Sequence, residues 1–253
     1  MNYTLEELTQ KIEALKLQMD RLEAVTICAN LMSRYVNYHA AFRHKDYVAF
    51  WAKRDDDILE MPWGKYIGYE SVKKCYLDHH FDRGDEGAEE KMQGAVFFHH
   101  LDTPIIEVAA DGKTARGAWW SPGHETFPRH DGEPGQDAIW AWSKYGADFI
   151  KEADGWKIWR MRIYPMFKTP VGVSWTEGSL FSGPMDLKEF PKTDLPCTDT
   201  PWAMGRKSVY PANQPDPPVP YASYGELSES FFGNLIQVDE STYEAVKIYT
   251  EQE

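Results

Sequence analysis

AVFFHHLDTPIIEVAADGKTARGAWW, residues 95–120, and AIWAWSKYGADFIKEADGWKIWRMRIYPMF, residues 138–167, decide the fold. Both are dense in β-branched and aromatic residues, which suit a pleated, half-buried surface. Each is cut once by a tight-turn signal, Asp111-Gly112-Lys113 in the first and Asp154-Gly155 in the second. Four strands follow: Ala95 to Ala109, Thr114 to Trp120, Ala138 to Glu152 and Trp156 to Phe167. In this order they form an antiparallel meander. Pro122 to Gly135 reads as a turn-rich excursion between its two halves.

The residues before the meander read mostly as helix. Leu5, Leu8, Ile12, Leu15, Met19 and Leu22 are spaced 3, 4, 3, 4, 3, the a/d seam of a coiled coil. The helical pattern runs on to about Phe42 through Val25, Cys28, Leu31, Met32 and Tyr35. Asp46 is placed to cap a short helix, Tyr47 to Ala52. Ile58 to Met61 and Tyr66 to Gly68 form a small hairpin around a turn at Pro62–Lys65, and Glu70 to Asp78 is helical. Helices grouped first and strands later indicate an α+β fold. Residues 171–253 are rich in proline, including Pro211, Pro215, Pro217, Pro218 and Pro220, and favour extended chain over a second core. The expected organisation is a coiled-coil-like helix (1–20), a domain (21–170) and an irregular C-terminal extension (171–253). The extension wraps over the domain or over a neighbouring subunit.

The 253 residues carry a net charge of −13 and no basic run, which excludes a phosphate-binding face, so no nucleic-acid partner is expected. Hydrophobic residues make up 42%, enough for a sizeable core, yet no apolar run approaches the ~20 residues that span a bilayer. Aromatics reach 14%, which suits both a broad sheet core and a pocket for a small apolar or aromatic molecule. Cys28, Cys75 and Cys197 are odd in number, scattered and without a CxxC pair. A reducing, cytoplasmic setting follows. The a/d seam packs either on its own domain or on a second copy, so a homodimer or homotrimer is expected.

Several stretches resemble, in order and spacing, the SnoaL-like branch of the nuclear-transport-factor-2-like superfamily. They are LEAVTICANLMSRYVNYHAAFRHKDYVAFWA (22–52), MPWGKYIGYESVKKCY (61–76), HHLDTPIIEVAADGKTARGAWW (99–120) and GWKIWRMRIYPMFKTPVGVSW (155–175). The resemblance implies a cone: a curved antiparallel sheet wrapped by the N-terminal helices, with a pocket at its wide end. The meander is also similar to scytalone-dehydratase-type enzymes, and the proline-rich tail to C-terminally extended aromatic lyases. In the dehydratase pattern, His99 or His100 matches the first histidine and His124 the second. Phe42 and Arg43 stand where that pattern has an aspartate.

On a strand only one of His99 and His100 faces inward, and the family register favours His99. An imidazole suits acid–base work near neutral pH. The catalytic candidates are therefore His99, His124 as its partner, and Tyr35 or Tyr38 as donor to a developing oxyanion. Tyr35, Tyr38 and His39 share a helix face by their spacing of three and four. His39, His100, Trp63, Trp120, Trp142, Arg162 and Tyr164 are candidate substrate-binding residues. Arg162 and Tyr164 share the polar face of the last strand with Arg160, opposite the apolar Trp159, Met161 and Ile163. His99, His124 and Glu125 or Asp137 would make a facial metal set, but no H-x-H or HExxH spacing supports one, and no metal or cofactor is expected. The reading is a cofactor-independent lyase or dehydratase for a small hydroxylated aromatic or polycyclic compound. A non-catalytic binding protein, and an isomerase or cyclase of the same fold, stay open.

Overall fold

The computed structural model of the chain describes residues 3–79, 82–129, 133–174, 192–195, 215 and 217–226. Its backbone is one long helix laid along a curved eight-stranded sheet. The helix, α1 (Leu5–Ala40), is unbroken across the expected boundary at residue 20. Thr4 caps it: its hydroxyl accepts from the Glu7 amide, and the Glu7 carboxylate accepts from the Thr4 amide. What changes near residue 20 is burial. Every residue from Tyr3 to Met19 is exposed, whereas Ala24, Cys28, Met32, Tyr35 and His39 form a buried stripe against the sheet.

A short helix α2 (His44–Tyr47) and a 3-10 turn (Val48–Phe50) follow. They start earlier than Asp46 suggested. Arg43 holds the cap position with no side-chain cap, and Asp46 lies inside the helix, paired with Arg43. The hairpin β1 (Ile58–Met61) and β2 (Gly64–Ile67) and the helix α3 (Tyr69–His79) match expectation closely. A one-turn helix α4 (Ala88–Lys91) interrupts the next loop.

The meander is more broken than its sequence suggests. The first long strand divides into β3 (Val96–His99) and β4 (Asp102–Val108), with Thr103 at a positive φ of 48° and Pro104 on what is an edge strand. β5 (Thr114–Ser121) and β6 (Gly123–Pro128) follow, so the expected excursion after Pro122 carries a strand. β5 and β6 pair in succession along β7 (Gln136–Glu152), which pairs with β8 (Gly155–Pro170). Two bulges interrupt the β7–β8 ladder. Register passes from Trp142↔Phe167 to Ser143↔Pro165, and from Asp148↔Arg160 to Phe149↔Ile158, leaving Met166 and Trp159 as the extra residues of β8. Such bulges bend a strand and increase its twist, and they curve the sheet around α1. Among the described strands β1 joins β8 in parallel, through Ile58↔Arg160 and Glu60↔Arg162.

The inner face carries Ala115, Trp119, Tyr145, Ala147, Phe149 and Met161, which pack with Met32 and Tyr35 of α1. Gly117 allows this packing, since a Cβ there would meet the Trp119 ring at 2.1 Å. Trp159 does not join it. The bulge turns its ring onto Tyr224, with centroids 4.5 Å apart.

Candidate active site

The cross-strand pairs assign each histidine to a face. His99 lies opposite Gly123, while Phe98 lies opposite His124, and His124 lies opposite Trp140. Directly paired residues share a face and neighbours along a strand alternate. His99, Phe97, Gly123 and Glu125 are therefore inside, and Phe98, His124 and Trp140 are outside. The expected pairing of His99 with His124 is not made.

The inner cluster is built from five elements. From β3, His99 reaches β6, where its Nε2 lies 3.3 Å from Oε1 of Glu125. From β8, Lys168 places Nζ 2.5 Å from the other carboxylate oxygen. From α1, His39 lies over His99, ring centroids 5.7 Å apart and planes within 26°. Tyr35, one turn earlier, stacks on His39 at 6.3 Å. From α2, His44 lies 5.4 Å from His39. Phe97 closes one side of the cluster. Below it, the buried phenols of Tyr35 and Tyr76 are hydrogen-bonded at 3.1 Å, with Tyr47 and Tyr145 packed on the Tyr35 ring. Burial holds the Tyr35 and Tyr47 hydroxyls well above the usual tyrosine range.

Glu125 is the charged centre. Burial opposes its ionisation, but the hydrogen bond from His99 and the Lys168 ammonium outweigh that and hold its pKa down to about 2. It is thus a fixed anion. A carboxylate accepting from Nε2 selects the tautomer with the proton on that nitrogen, leaving the Nδ1 lone pair to take a proton. Among the described residues Nδ1 has no hydrogen-bond partner. Glycine at 123 leaves it room, because a Cβ there would lie 2.7 Å from Nδ1.

The other expected residues are placed elsewhere. Tyr38 packs on Phe50 and carries the Arg43 guanidinium 4.1 Å above its ring, off the Tyr35–His39 line. Phe42, at a left-handed φ of 53°, turns the chain so that Arg43 pairs with Asp46. The carboxylate beside His99 comes from β6 instead. Trp63 donates from Nε1 to the Tyr66 hydroxyl at the core edge. His100 joins Phe98 and His124 outside, 5.9 Å from the latter ring. Trp142 stacks on Phe167, and Lys144 covers Trp120.

Arg162 and Tyr164 are on the outer face but not in solvent. The Arg162 guanidinium pairs with buried Glu60 at 3.3 Å and lies over the Tyr164 ring. Beside them Arg116 pairs with Asp148 at 3.5 Å. This charged layer is capped by the C-terminal segment. The Tyr224 hydroxyl accepts from Arg160 and donates to Asp148, and Tyr221 meets the Thr114 hydroxyl at 3.0 Å. Tyr221 and Tyr224 of the expected C-terminal extension thus lie on this layer. Most of 171–253, with Trp175, Trp202, Tyr210, Phe231 and Cys197, lies outside the described residues, as does His130.

Among the described residues no cluster of three or more His, Cys, Asp or Glu side chains is arranged to hold a metal ion. No described helix is long and apolar enough to cross a membrane. A surface depression of about 700 Å³, lined by Lys53, Asp55, Gly68, Tyr69 and Ser71 among others, lies away from the histidines.

The curved sheet wrapped by helices defines a cone-shaped α+β protein with an imidazole–carboxylate pair on its inner face. The chain belongs to the SnoaL-like domain family, whose model matches residues 20–162. Three solved structures are similar over most of their own length. A candidate scytalone dehydratase from Novosphingobium aromaticivorans is 14% identical, with 62% of this chain and 93% of that one covered at a TM-score of 0.46. The type 3 hexachlorocyclohexane dehydrochlorinase of Novosphingobium barchaimii is 16% identical, with 62% and 96% covered at 0.46. A candidate dehydratase of the NTF2-like family from Streptomyces avermitilis is 15% identical, with 58% and 98% covered at 0.45. At these identities and scores they assign no residue role to this chain. No curated protein matches it.

Proposed function

We propose that the chain is a cofactor-independent lyase of the dehydratase type, acting on a small hydroxylated aromatic or polycyclic compound. The observation that carries this reading is the Lys168–Glu125–His99 array, with its carboxylate buried and its two partners half-buried, set among aromatic rings on the inner face. Glu125 and Lys168 position the imidazole, and His99 is the acid–base group. Nδ1 removes a proton from carbon, the C–H electron pair forms the new double bond, and the C–O bond breaks. The hydroxyl departs as water on the proton that His99 carries. The ring system of the substrate spreads the charge that builds up, so no cofactor is required. His39 and Phe97 supply flat walls for that ring.

A panel of hydroxylated bicyclic and diaryl compounds, screened by mass spectrometry for loss of water, tests the reading. Conversion is expected to persist in chelator. It is expected to fall by about 10²–10⁴-fold in His99→Ala, the usual contribution of a positioned acid–base group. Full activity in that variant removes His99 from the mechanism. Conversion without change of mass assigns an isomerase or cyclase. Binding that is unaltered by His99→Ala, with no turnover, assigns a binding protein.

A further inference from the structure

α1 presents two apolar faces, and the cone covers one of them. Leu17, Arg21, Ala24 and Cys28 mark the covered face: Leu17 approaches Gly112, and Arg21 donates to the Val108 carbonyl at 2.9 Å. At ~100° per residue, Met19 sits roughly 160° around the helix from Leu17, and Leu22 the same from Ala24. The seam thus faces away from the cone. Its exposures are 82% for Leu5, 42% for Leu8, 65% for Ile12, 59% for Leu15, 69% for Met19 and 67% for Leu22. The helix start is capped one residue before the first seam leucine. A helix of some 15 residues without tertiary contacts is marginal in water, and this one carries its apolar groups in a row.

We propose that residues 5–22 of two copies of this chain pair as an antiparallel two-stranded coiled coil, Leu5 of one copy against Leu22 of the other. The seam is self-complementary in that sense. Reversed on itself, it brings Leu5 to Leu22, Leu8 to Met19 and Ile12 to Leu15, each an a position against a d position. A two-fold axis between the central layers generates the whole contact, the isologous form of a closed dimer. Charge selects the direction. In a parallel pair Lys11, at g, meets Lys16 of the other helix, at e. In the antiparallel pair Lys11 lies beside Gln18 and Lys16 beside Thr9, and no like charges meet. The seam is about 27 Å long at 1.5 Å per residue. Each helix tip therefore ends near residue 22 of the other copy, where its cone begins.

Sedimentation equilibrium on the full chain tests the interface. The double variant Leu8→Glu/Leu15→Glu is expected to halve the solution mass, while the near-ultraviolet circular dichroism and the unfolding of the cone stay unchanged. Equal masses for wild type and variant overturn the proposal, as does a wild type at the 29.2 kDa of one chain. Direction is tested by oxidation in a Cys197→Ser background. A mixture of Leu5→Cys and Leu22→Cys chains is expected to form the mixed disulfide. Cross-linking of either variant with itself, in place of the mixed product, overturns the antiparallel arrangement. Melting of the cone by Leu8→Glu/Leu15→Glu shows that the seam serves its own domain, and also overturns it.

Discussion

His99 depends on a residue that has no side chain. Gly123 faces it across the β3–β6 ladder, and a Cβ at that place would lie 2.7 Å from Nδ1 and 2.5 Å from the Ala141 carbonyl. Neither backbone nor ring has space to give. Gly123→Ala is expected to cost about 1–3 kcal/mol, the usual penalty of overpacking, and to turn the imidazole away from Glu125. Urea unfolding measures the first effect and the His99 ring shifts in NMR the second. Two acids give stability an opposed dependence on pH. Glu125 is held at about 2 against an ordinary 4.5, so its contribution is complete above about pH 4.5 and is lost as pH falls towards 2. Asp57 is pushed up to about 8 by burial, aided by Asp56 and opposed by hydrogen bonding to the Arg54 amide. Its contribution is present below the ordinary 3.8 and is lost as pH rises through 8. Denaturation midpoints at pH 3, 6 and 9 check both. Glu125→Gln is expected to flatten the acid limb and Asp57→Asn the alkaline one.

At the scale of elements, alternation made some of the site legible and hid the rest. Spacing of three and four groups Tyr35, Tyr38 and His39 on one helix face, of which Tyr35 and His39 lie on the buried stripe and Tyr38 packs on Phe50, and the period-2 rule allows only one of His99 and His100 to face inward. The same rule separates His124 from His99 once β6 is seen to be a strand. Pro122 and the glycines around it hid that strand, because they read as turn chemistry while β7 was long enough to hold both β5 and β6 in register. In the sequence Glu125 stands out only as one corner of a facial metal set. Its parity with Gly123 was the signal for the dyad, and it needed the strand to be recognised. The β8 bulges had no signal at all: their positions follow from ladder register with β7. They moved Trp159 off the inner face and left Arg160 under the C-terminal segment. Tyr224 is the closing contact there. Tyr224→Phe leaves buried Asp148 short of a donor, and is expected to cost about 1–3 kcal/mol in thermal unfolding.

Across the whole molecule, the helix-first, strand-later order was enough to give the fold class, since it leaves few ways to bury one face of a four-strand meander. What it could not give was the parallel contact of β1 with β8. That contact ties Ile58 and Glu60 to Arg160 and Arg162 across about a hundred intervening residues. The β7–β8 hairpin, by contrast, closes through the short turn at Asp154-Gly155. Closing a long loop costs entropy before its contacts repay it, and such pairings slow the search for the native state. Refolding is therefore expected to protect the amides of β7 and β8 first and those of β1 last. Pulsed hydrogen exchange reads that order directly. The Glu60–Arg162 pair is the bolt of this late closure, so during synthesis the chain stays unlatched until β8 has emerged.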